Sequence, residues 1–110
     1  MSSTRLPNYL RSNRKRLALS QDEVAFLLGV KSGTKVCRYE RFARQPTLET
    51  ALAFEVIFQR PVSELFGGLY QKVEEEVTAR ARSLAEKSRI HDTRKRDRLT
   101  DIANKRVRLP

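Results

Sequence analysis

The sequence predicts an all-α protein. Three observations carry this. No stretch alternates apolar and polar residues as a half-buried strand would; apolar residues recur at three- and four-residue spacings; and Pro and Gly sit at the borders between such stretches. Residues 1–7 read as a polar arm. Asn8 is placed to cap a first helix, with Leu10, Leu17 and Ala18 on one face and Arg11, Arg14, Lys15 and Arg16 on the other. Ser20 followed by Glu23 matches a capping box, so a second helix starts near Gln21 and buries Val24, Ala25 and Leu28, with Leu27 at the margin. Gly29 suits a left-handed residue that ends it. A third helix begins between Ser32 and Thr34, with Val36 and Tyr39 turned inward.

Pro46 stops that helix and Thr47 caps a fourth. Leu48, Leu52 and Ala51 open its apolar face, with Glu55 exposed. Val56, Ile57 and Phe58 then make it apolar nearly all round, the pattern of a central, buried helix. Pro61 and "VSELF" form a short fifth helix. Gly67 and Gly68 close this unit, which spans 8–66. In 67–88, Leu69, Val73, Val77, Ala81 and Leu84 form a helical stripe, and the charges cancel. That helix either folds back on the domain or pairs with a second copy. Residues 89–110 hold eight Lys/Arg and three Asp. They form a basic tail, either a solvated segment or a second nucleic-acid contact. Leu99, Ile102 and Ala103 hint at one more helix there.

Composition narrows the function. With 110 residues, 39% of them apolar, the chain has the size of one small domain with an appendage, and no apolar run is long enough to cross a bilayer. The first residues lack the apolar core of a secretory signal. Cys37 is the one cysteine, which excludes an intrachain disulfide; the expectation is a cytoplasmic protein. Cys37 and the lone His91, on different segments, cannot build a zinc site, and no cofactor is expected. No nucleophile–base set or paired acids accompany Glu40, so an enzyme is not expected. A formal net charge of +10 favours polyanionic partners through phosphate neutralisation and counterion release.

The placement of charge is more telling. An amphipathic helix, a short Gly-containing corner and a polar helix follow the helix-turn-helix plan. Ala25 is small where the second helix of the pair crosses it. Val30, Val36 and Tyr39 pin that helix to the core, leaving its first turn and outer face free for a major groove. "LSQDEVAFLLGV", the Arg-Tyr-Glu of "CRYER" and the following Pro46-Thr47-Leu48-Glu49 resemble the Cro/C1-type (XRE family) helix-turn-helix repressors across roughly 8–66. The resemblance implies a five-helix, lambda-repressor-like domain that binds operator DNA as a homodimer, here with a C-terminal helical, basic extension.

Three departures stand out. "KSGTK" holds one residue more between Val30 and Val36 than the family usually has, and Gly33 is where positive φ would absorb it. On that reading Lys31 and Ser32 lie in the turn, and Gly33→Val disturbs DNA binding more than stability. Ala18 and Phe42 stand where the family often has Gly. Because Phe is unfavourable at positive φ, the third helix is expected to run on toward Ala43.

Gln21, at the start of the second helix, is expected to touch a phosphate, as the family's Gln commonly does. Thr34, Lys35 and Arg38 are the expected base readers, with Arg38 able to pair bidentately with guanine. Ser32 and Lys31 lie near the groove edge, and Arg41 and Arg44 are expected on phosphates. Glu40 is expected to tie down donors near the junction of the third and fourth helices. The expected function is a sequence-specific regulator of transcription. Two alternatives stay open: an antitoxin that represses its own operon and holds a toxin through 67–110, and an adaptor or RNA-associated protein that reads no DNA sequence.

Overall fold

The computed structural model describes residues 6–87 and 93–104. Residues 1–5 of the polar arm, and 89–92 and 105–110 of the basic tail, lie outside them. Among the described residues every regular element is a helix and there is no strand: α1 Leu10–Arg16, α2 Gln21–Leu28, α3 Gly33–Glu40, α4 Leu48–Phe58, α5 Val62–Leu65, α6 Gly67–Lys87 and α7 Thr93–Ala103. No helix among these residues is long and apolar enough to cross a membrane. The chain divides into two compact units between Tyr70 and Gln71, inside α6.

Local chemistry sets the helix starts. Ser20 Oγ accepts from the Glu23 amide, and the Glu23 carboxylate accepts from the Ser20 amide, completing the capping box of α2. Thr47 Oγ1 accepts from the Thr50 amide at the head of α4. Asn8 is buried just ahead of α1. Its Oδ1 accepts from the Leu10 amide, and its Nδ2 donates to the Tyr39 carbonyl, joining α1 to α3.

The first three helices end alike. The amides of Leu19, Val30 and Ala43 donate to the carbonyls of Arg14, Ala25 and Arg38, five residues back, through a left-handed residue at Ala18, Gly29 and Phe42. Thus α3 does not run on toward Ala43. It stops at Glu40, with Phe42 at φ 57°. The two orphan carbonyls bonded by this turn outweigh the unfavourable φ, which costs about 1–2 kcal/mol for a residue with a Cβ.

The core of the first unit centres on Phe54. Its ring meets Tyr39 edge-on at 5.8 Å, stacks with Phe58 at 5.9 Å and meets Phe66 at 6.4 Å. Leu10, Val24, Ala25, Val36, Ala51 and Leu65 complete it. Three expectations fail here. Leu17 and Ala18 are exposed, because the chain leaves α1 before reaching them. On α4 the buried residues are Ala51, Phe54 and Phe58, whereas Leu48 and Val56 are 74% and 69% exposed and Leu52 about half so. Glu55 is not simply exposed. Its carboxylate accepts from the Val62 amide and so secures the start of α5.

In the second unit Thr78, Ala81, Asp101 and Ala103 are buried, and the Arg82 guanidinium donates to the Ala103 carbonyl, tying α6 to α7. Val73, Val77 and Leu84, expected to share one stripe with Ala81, remain nearly half exposed. Part of the basic tail is thus the helix α7.

Ala18 tests the left-handed stops. It is exposed, so Ala18→Gly removes strain without opening a cavity. Denaturant titration should show a gain of about 0.5–1 kcal/mol. A loss would mean that the Cβ makes a contact that matters more than the backbone angle.

Candidate nucleic-acid interface

The site is built from the close crossing of α2 and α3. Ala25 is buried, so the helices approach closely, and the corner Gly29–Ser32 brings α3 back across α2. Lys31 and Ser32 lie in that corner, and α3 begins at Gly33. The residue that the Cro/C1-type resemblance counts as extra would on this geometry fall ahead of the helix. It is not absorbed by positive φ at Gly33, since Gly29 is the glycine in the left-handed region. Gly33 is needed for a different reason. A Cβ there would lie 2.6 Å from Asp22 Oδ1 and 3.0 Å from both the Asp22 nitrogen and the Gln21 carbonyl carbon. The hydrogen atom lets the first turn of α3 sit on the first turn of α2. Asp22 Oδ1 then accepts from the Gly33 amide at 2.9 Å, doing the work of a cap that Ser32 leaves undone.

Val36 and Tyr39 are buried, and burial of Val36 alone contributes roughly 2 kcal/mol. They hold α3 so that Thr34, Arg38 and Arg41, spaced four and three apart, project away from the core and are exposed. Lys35 is half-buried, one residue round the helix from that line. Ser32 is exposed at the head of α3, and Arg44 is exposed in the connection to α4.

Two open hollows border this line. One lies between the heads of α2 and α3 and is lined by Gln21, Asp22, Gly33 and Thr34. The other brings Arg11 of α1 beside Gln21, Glu40 and Arg41. Arg11 and Lys15 also line a neighbouring hollow with Arg41. The structure therefore groups Gln21 with Thr34 and with Arg41. It adds Arg11 and Lys15, which the sequence marked only as a basic face of α1. Their four-residue spacing on one helix was the available signal.

Arg14 belonged to that basic face by sequence, but it turns inward. Its Nε and Nη2 donate to the Glu40 carboxylate at 2.5 and 3.2 Å, and its Nη1 donates to the Leu19 carbonyl at 3.0 Å. The hydrogen bond to Glu40, with the attraction of its charge and against desolvation, holds the Arg14 pKa above the ordinary arginine value. Gln21 Nε2 donates to the same carboxylate at 3.1 Å. Its side-chain nitrogen is thus engaged within the protein, which leaves its side-chain oxygen and the head of α2 on the hollow. Glu40 ties α1, α2 and α3 together, rather than donors at the junction of α3 and α4. No family model, curated protein or solved structure matches this chain.

The close contacts at Gly33 mean that Gly33→Val is expected to cost stability as well, whatever it does to binding. Asp22 can rotate, but the backbone at Gln21 and Asp22 cannot yield without separating α2 from α3. Gly33→Ala should cost about 1–3 kcal/mol in thermal unfolding. A stability change below the error of the measurement would show that α3 can lift without loss.

Proposed function

We propose that the protein is a sequence-specific, double-stranded DNA-binding regulator of transcription. It acts as a homodimer and binds DNA through a lambda-repressor-like five-helix domain, α1–α5. The observation that carries this is the exposed line Thr34–Arg38–Arg41 on a helix anchored from behind by Val36 and Tyr39. A helix held that way can enter a major groove with its side chains already aimed. Arg11 and Lys15 lie beside the Arg41 end of the line, and these three can take the phosphates on the groove's rim. The net charge of +10 and the Cro/C1-type resemblance support the same reading. Selecting duplexes from a random library tests it. A two-fold symmetric motif is the expected result, and indifference to sequence would favour an adaptor.

Two substitutions divide the labour. Arg38→Ala should weaken the preferred duplex by about 1–3 kcal/mol and relax the preference at one base pair, with a smaller effect on random duplex. Equal weakening on both would remove base reading from Arg38.

Arg11→Ala with Arg41→Ala should lower the slope of log affinity against log salt by roughly 0.9 per lost phosphate contact, so by about 1.8 for the pair. The selected motif should stay the same. An unchanged slope would place both arginines off the DNA.

A further inference from the structure

The second unit leaves one face of α6 open. Val73, Val77 and Leu84 are 45%, 44% and 46% exposed, while Thr78 and Ala81, round the same helix, are buried. With Arg80 the open residues are spaced four, three and four apart, the alternation of a heptad seam in a two-stranded coiled coil. Charge is polarised along this stretch. Glu74, Glu75 and Glu76 precede Val77, and Arg80 and Arg82 follow it.

We propose that this face of α6 pairs with α6 of a second copy, and that the two helices run antiparallel. The inference deepens the homodimer of the proposed function and rests on it for the identity of the partner, not on any DNA contact. Direction follows from Arg80. In a parallel, in-register pair every seam residue meets its own copy, so two Arg80 guanidiniums would share one apolar layer. Like charges held there repel with little water to screen them. In the antiparallel pair, Val73 lies across from Leu84 and Val77 across from Arg80. The Arg80 stem then covers Val77, and its head lies beside Glu76 of the second copy. The acidic stretch 74–76 of each helix thus faces the basic stretch of the other, twice by symmetry. Three aliphatic residues on each side make a small seam. The free dimer is accordingly weak and gains from two half-sites held on one duplex.

Disulfide trapping reads the direction. In a Cys37→Ser background, Val73→Cys and Leu84→Cys proteins, one carrying a mass tag, are oxidised alone and mixed. The expected product is the mixed disulfide, with little from either protein alone. Dominant self-disulfides would overturn the antiparallel pairing. Sedimentation of the uncrosslinked chain gives the second readout: Val77→Asp, at an exposed position, should weaken self-association about 10-fold or more. A dimer that ignores Val77→Asp, or a chain that stays monomeric at high concentration, would overturn the seam. Either result leaves a selected DNA motif standing. Loss of DNA preference with the mixed disulfide intact would sink the regulator and keep the seam.

Discussion

The Glu40 side chain is only 4% exposed, yet its carboxylate accepts three hydrogen bonds from two other helices. A carboxylate so deeply withdrawn from water is tolerable only with such partners, since an unpaired buried charge costs several kcal/mol. The dependence runs both ways. Arg14 is also largely withdrawn from water, and without Glu40 its guanidinium would keep the Leu19 carbonyl as its remaining partner in the protein. The network therefore sets the angle between α1 and the α2–α3 pair. It also separates the arginines by role: Arg14 is consumed in holding the helices, whereas Arg11, three residues earlier on the same helix, faces solvent.

A second constraint acts at the crossing itself. Two atoms govern how close α2 and α3 come: the hydrogen of Gly33 and Oδ1 of Asp22. The first permits the approach and the second rewards it with a hydrogen bond. The outer line of α3 is consequently fixed in height by α2, and in rotation by Val36 and Tyr39. Neither control touches the side chains that face outward, so those can vary without moving the helix that carries them.

What could be read from the sequence was mostly local. The capping box at Ser20, the Thr47 cap, the left-handed Gly29 and the inward Val36 and Tyr39 each depend on neighbours within a few residues. The start of α3 was legible too, although for the wrong reason: the glycine answers to a contact 11 residues away, not to its own φ. The Arg14–Glu40 pair spans 26 residues, and no spacing rule singles out Arg14 from the basic residues around it. On α4 the difficulty was different. A helix apolar on all sides carries no signal of which side the core will choose, and the Phe54 ring cluster decided it. Ala18 and Phe42 misled because residue type predicts left-handed backbone poorly when a five-residue-back hydrogen bond is available to stabilise it.

The choice made by α4 has a bearing on how the protein behaves in bulk. Leu48, Leu52 and Val56 form an oily line on the outside of a molecule that carries a formal charge of +10. At low ionic strength mutual repulsion keeps copies from meeting along such lines. Around 1 M salt the screening length shrinks to about 3 Å, and that protection disappears while the attraction between apolar surfaces does not. Saturating the basic surface with nucleic acid removes it in the same way. The colloidal stability of this protein therefore depends on its unneutralised charge, and molar salt or saturation with polyanions are the conditions under which it should cloud first.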